Sequence, residues 1–175
     1  VAAGTFSDAV SNTNSVSNTY TWTYDGTGPT MAITSSSVTS GATTGTEAVA
    51  LTFTSNEATT DFIAGDITAS SCALSSLTGS SSTVYTATCT PADGATASVS
   101  VAAGEFSDAV SNTNSVSNTY TWTYDGTGPT MTITSSSVTS GATTGTEAVA
   151  LTFTSNEATT NFIADDITAT SCTLS

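Results

Sequence analysis

Apolar and polar residues alternate along this chain in short runs with a period of two. MAIT, at 31–34, sets Met31 and Ile33 on one face. In EAVALTFTS, Val49, Leu51 and Phe53 share a face, with Ala48, Ala50 and Thr52 opposite. TVYTATC groups Tyr85, Ala87 and Cys89, while ASVSVA groups Ala97, Val99 and Val101 against Ser98, Ser100 and Ala102. NTYTWTYD aligns Tyr120, Trp122 and Tyr124. Alternation among β-branched and aromatic residues, broken by Gly, Ser, Asn and Asp, predicts strands, and no segment carries a 3.6-residue period. Roughly seven short strands per hundred residues is the spacing of an all-β sandwich, with a closed barrel the lesser alternative.

The same pattern occurs twice. Shifted by 100 residues, 1–75 overlies 101–175 with differences only at positions 5, 32, 61, 65, 70 and 73, which leaves 69 matches in 75. A fixed period of this size means tandem modules, each near the size of a small domain. DGTGPT at 25–30 and 125–130 combines Asp, two Gly and a Pro, a linker and turn signal. The boundaries expected are therefore 1–27 as the closing strands of one module, 28–127 as a complete module and 128–175 as the first half of the next. Residue 1 matches residue 101, so the chain reads as an internal window of a longer polypeptide, with any secretion signal outside it.

The cysteines sit in SSCALSSLTGSSSTVYTATC. A hairpin turning through Gly79–Ser82 would place Thr78 opposite Thr83 and Leu77 opposite Val84. The same register sets Cys72 directly opposite Cys89, which predicts a cross-strand disulfide and an oxidising compartment. Cys172 is the copy of Cys72, and its partner would fall fourteen residues past the last one. Two cysteines without His or CxxC spacing make a poor zinc site, and buried free thiols are the plainer alternative.

Charge narrows the function classes. The chain has 14 acidic residues and no Lys, Arg or His, for a formal charge of −14. Nucleic acid is excluded as a partner, since neutralising phosphates requires cations. Anionic membrane surfaces are excluded for the same reason, and no apolar run is long enough to span a bilayer. A nucleophilic Ser has no His or Lys to activate it. Paired carboxylates can hydrolyse glycosides, but nothing here suggests a shaped cleft. The sequence is not that of an enzyme.

Longer stretches carry a family likeness. LTFTSNEATTDFIAGDIT, followed by VYTATCTPADGATASVSVAAGEFSDAVSNTNSVSNTYTWTYDGTGPT, resembles the bacterial Ig-like repeats of large surface adhesins and biofilm-associated proteins. The resemblance covers essentially the whole chain. It implies tandem immunoglobulin-like β-sandwich modules in an extracellular spacer, stalk, filament or adhesin. Two features are atypical of such repeats: the cysteine pair and the complete lack of Lys and Arg.

In a sandwich of that type the loops after the second and sixth strands meet where the chain enters. That end would gather Asp25, Glu57, Glu105, Asp108, Asn112 and Asn114, with Asp125 and Glu157 repeating the pattern at the next junction. Converging carboxylate and amide oxygens suit a hard cation, which makes calcium the cofactor to expect at a module junction. The competing explanation is ordinary turn chemistry and solubility, because Asp and Asn hydrogen-bond their own backbone. Asp66 and Asp166 read as turn residues. Trp22 and Trp122 could stack on sugars but read more simply as core. The Ser/Thr tracts SSSVTSGATTGT and SLTGSSST are candidate O-glycosylation sites or plain polar loops, and no Asn-x-Ser/Thr sequon exists.

Two functional readings follow, a structural spacer and a module that binds glycan or a surface directly. The expected partners are copies of the chain itself, as a homopolymer or fibre, and glycans. Strand exchange between chains is a third reading. It would leave the counterpart of residues 76–100 missing.

Overall fold

The computed structural model describes residues 1–174. Its centre is a two-sheet sandwich. The first sheet runs β1 (Met31–Thr34), β3 (Val49–Ser55), β7 (Val84–Pro91), β5 (Cys72–Leu74), with β6 (Thr78–Gly79) also on β7. The second runs β2 (Thr43–Thr44), β9 (Tyr120–Tyr124), β8 (Thr96–Val101), β4 (Ile67–Ser70). Every pairing is antiparallel except β2 with β9, which is parallel. Beyond the sandwich, β10 (Met131–Thr134) and β11 (Thr152–Ser155) form a separate pair in the register of β1 and β3.

The alternation read from the sequence becomes the two inner faces. Met31, Ile33, Val49, Leu51, Phe53, Ala87 and Cys89 face Ile67, Ala97, Val99, Val101, Tyr120 and Trp122 in one core. Burying a large apolar side chain contributes about 1.5–3 kcal/mol, so these positions carry the fold. Loop aromatics close one end: Phe62 packs edge-on to Phe106 at 5.1 Å and to Tyr85 at 5.0 Å. β2 and β6 escape the reading because they hold two residues each, too few to display a period, and β4 escapes it because only Ile67 of its four residues is buried.

The disulfide forms, with the Cys72 and Cys89 Cα atoms 5.7 Å apart, but the register differs from the expected one. Leu74, not Cys72, lies opposite Cys89, and Cys72 lies opposite Pro91. The bridge is therefore diagonal. Nearer the turn Thr78 faces Thr86 and Gly79 faces Tyr85, so one strand has an extra residue between Leu74 and Thr78. Ser75 fills that bulge. Its N–H donates to the Thr88 carbonyl at 2.7 Å, and its Oγ accepts from the Thr88 N–H at 2.9 Å. The larger departure is in the turn itself, which runs through residues 80–84 instead of 79–82 and so sets Thr78 opposite Thr86 rather than Thr83.

Candidate functional site: an acidic junction between two loops and a linker

The site is built on the loop between β8 and β9. Asn114 organises it from a buried position. Its Oδ1 accepts from the Glu105 and Phe106 N–H groups, and its Nδ2 donates to the Ala102 and Ser115 carbonyls. Inside that frame Asp108 makes an Asx turn. Its Oδ1 accepts from the Val110 and Asn112 N–H groups and its Oδ2 from Asn112 Nδ2. Ser111 takes the left-handed conformation (φ 70°) that the tight turn demands. Desolvation is the largest single influence on Asp108 and pushes its carboxyl up. The Asn112 amide and the Asn112, Val110 and Ser111 backbone outweigh it, so Asp108 titrates below the ordinary Asp range.

The incoming linker crosses this loop. Asn112 Nδ2 also donates to the Asp25 carbonyl at 3.2 Å, and the Ser115 N–H donates to the Pro29 carbonyl at 3.0 Å. Gly28 lies so close that a Cβ there would collide with the Thr113 carbonyl oxygen. The loop after β3 supplies the third wall. Asn56 accepts from the Thr30 N–H and donates to Glu57 Oε1, holding the carboxylate beside the linker. Asp61 ties the two loops by accepting from the Ser107 N–H and hydroxyl.

Asp25, Glu57 and Asp108 come together, each with a carboxylate oxygen within 4.8 Å of the others. They line a shallow depression of about 170 Å³ with Ala58, Ala109 and Val110. Three hard oxygen donors with no cationic side chain in the chain form a set that suits a divalent cation such as calcium. Asn112 stands beside them as a hydrogen-bonding partner. Glu105 and Asn114 do not join. Glu105 is exposed and engages through its backbone, while both ends of the Asn114 amide are used in framing the loop. At the next junction Asp125 and Glu157 are not brought into a three-carboxylate cluster among the described residues. Glu157 repeats the Glu57 arrangement, accepting from Asn156. Asp66 is a turn residue as expected, accepting from the Ile63 N–H.

Sequence reasoning missed Asp93, in the turn between β7 and β8. Its carboxylate accepts from the Gly126 N–H at 2.6 Å and from the Thr127 hydroxyl, which gathers in the outgoing linker. The Thr127 hydroxyl and then the Gly126 N–H hold Asp93 below the ordinary range. The signal was present in PADG, which reads as a plain turn until its spatial partner is known.

A disulfide-stapled antiparallel sandwich with acidic loops at one end and a clamped linker at each end is an immunoglobulin-like module. The sequence profile of the bacterial Ig-like domain matches residues 25–124, and the chain belongs to that family. Neither a curated protein nor a solved structure matches the chain.

Proposed function

We propose that this chain is a structural segment of an extracellular, multi-module filament, stalk or adhesin, and that its work is mechanical rather than catalytic. The units are 1–27, 28–127 and 128–175. One observation carries the reading. The copies a hundred residues apart match at 69 of 75 positions, and the match includes both linkers. A chain selected for reach needs equivalent units, whereas a binder needs one unit that differs. The Cys72–Cys89 bridge supports an oxidising location outside the cytoplasm. No helix among the described residues is long and apolar enough to cross a membrane. The test is small-angle scattering on concatemers of two, three and four units. The maximum dimension should grow by a constant increment per unit, and a dimension that stays flat would overturn the reading.

A second reading rests on the Asp25–Glu57–Asp108 cluster, where calcium would neutralise three carboxylates and fasten the linker to the module. Adding calcium to the chelated protein should raise the melting temperature, and Asp108→Asn should abolish the rise. An unchanged melting temperature sinks the site.

A further inference from the structure

The linker DGTGPT occurs at 25–30, before the central module, and again at 125–130, after it. The two occurrences show it held from opposite sides. At 125–130 the module behind holds the first half. The Asp125 N–H donates to the Thr44 carbonyl at 3.0 Å, the Gly126 N–H to Asp93 Oδ1 at 2.6 Å, and the Thr127 hydroxyl to Asp93 Oδ2. At 25–30 the module ahead holds the second half. The Ser115 N–H donates to the Pro29 carbonyl, Pro29 is buried, and Gly28 lies against the Thr113 carbonyl oxygen. The Thr30 N–H donates to Asn56 Oδ1 at 2.6 Å, and the Thr30 carbonyl accepts from the Asn56 N–H at 3.2 Å.

The two grips do not compete, because no linker atom serves both. The module behind takes the N–H groups of 125 and 126 and the hydroxyl of 127. The module ahead takes the carbonyls of Asp25 and Pro29 and both backbone groups of Thr30. The linker also bends alike in both places. A Cβ on Gly26 would collide with the Tyr24 hydroxyl, and one on Gly126 with the Tyr124 hydroxyl.

At 125–130 parts of both grips are closed at once. Asp93 holds Gly126 and Thr127 while the Thr130 N–H donates to Asn156 Oδ1 and the Thr130 carbonyl accepts from the Asn156 N–H. Only Gly128 and Pro129 lie between. Their counterparts Gly28 and Pro29 are the residues that Thr113 and Ser115 hold.

We propose that the exit end of one module and the entry end of the next form a rigid joint around their shared linker. The turn carrying Asp93 is the rear half of the joint. Asn56 and the loop 112–115 of the following module are the front half. Each end therefore docks on the next copy of the same unit along the polypeptide. A flexible linker needs a run of residues free to rotate. Here each of the six is held, and the Pro ring fixes its own φ. The direction of one module then sets the direction of the next. This deepens the spacer reading and rests on residues 28–127 being one unit of a series. Modules on loose joints also gain length with each unit, so the two readings fail separately.

The test is the 175-residue chain continued through a second copy of residues 76–127, which completes the unit that begins at 128. Spin labels are attached through Thr54→Cys and Thr154→Cys, both exposed positions, and the distance between them is measured in chelator. Wild type should give one narrow distance distribution. Asp93→Ala opens the rear half and should broaden it about twofold or more, toward the spread of a flexible linker. Asn156→Ala opens the front half and should broaden it as well. Asp93→Asn keeps one acceptor and should fall between wild type and Asp93→Ala. Circular dichroism verifies that the units remain folded in each variant. A broad wild-type distribution overturns the proposal, as does a narrow one that both alanine variants leave unchanged. A distribution that narrows only when calcium is added assigns the joint to the metal and also overturns it.

Discussion

Residues 1–24 and 101–124 differ only at Thr5 and Glu105, yet they reach different structures. The loop is the same in both. Asp8 accepts from the Val10 and Asn12 N–H groups and from Asn12 Nδ2, as Asp108 does from its own neighbours. Asn14 frames Thr5 and Phe6 as Asn114 frames Glu105 and Phe106. Ser11 repeats the left-handed turn at φ 69°. The strand that follows is not the same. Tyr120–Tyr124 pairs with β8 and β2 and is buried, whereas 20–24 forms no strand and is exposed. Asp and Asn side chains write the loop into a dozen neighbouring residues, so it needs no tertiary support. The strand exists only where distant partners supply its ladder and cover its face.

The largest test of that contrast is a pair of tryptophans. Trp122→Ala should destabilise the central module by about 3–5 kcal/mol, the range for emptying a large core site. Trp22→Ala should leave the same chemical-denaturation midpoint unmoved. Equal effects would mean that residues 20–24 are packed against the module after all.

Reducing the disulfide comes next. Opening a bridge between residues 17 apart in sequence should cost about 3 kcal/mol, read as a drop in melting temperature with reductant. Only residues 28–127 should respond.

A smaller loss, about 1–3 kcal/mol, is expected for Asn114→Ala, which strips the partners from buried backbone groups. Asn14→Ala should not shift the transition. Its loop should still lose order locally, visible as faster amide exchange at Thr5 and Phe6.

Smallest is the pH effect. Asp93 and Asp108 have folded-state pKa values below their unfolded ones. Their contribution to stability is therefore present above the ordinary Asp value of about 3.9 and fades as pH falls through the lower folded values. The stability difference between wild type and Asp93→Asn should be full at pH 7 and shrink below about pH 4. A difference that grows on acidification would contradict the clamp.

This same division explains how much was legible. Alternation located β1, β3, β7, β8 and β9 because each has an inner face of Val, Ile, Leu, Phe, Tyr or Trp. The loops that meet at the entry end followed from strand count, and with them Asp25, Glu57 and Asp108. The direct Cys72–Cys89 pairing failed because the hairpin turns through residues 80–84, with Thr78 opposite Thr86, and the bulge at Ser75 then shifts the register once more. Glu105 and Asn114 were misjudged as ligands because residue type alone does not say whether an oxygen faces outward or holds its own loop. Asp93 went unnoticed because Gly126 and Thr127 lie more than thirty residues away along the chain.

The parallel pairing of β2 with β9 has a consequence under tension. The second strand of the module and the strand that leaves it lie side by side and point the same way. Pulling the two termini apart slides these strands past each other, so the bonds from Gly41, Thr123 and Asp125 are strained together instead of being unzipped one at a time. A sheet element only two residues long would thus take its load in shear.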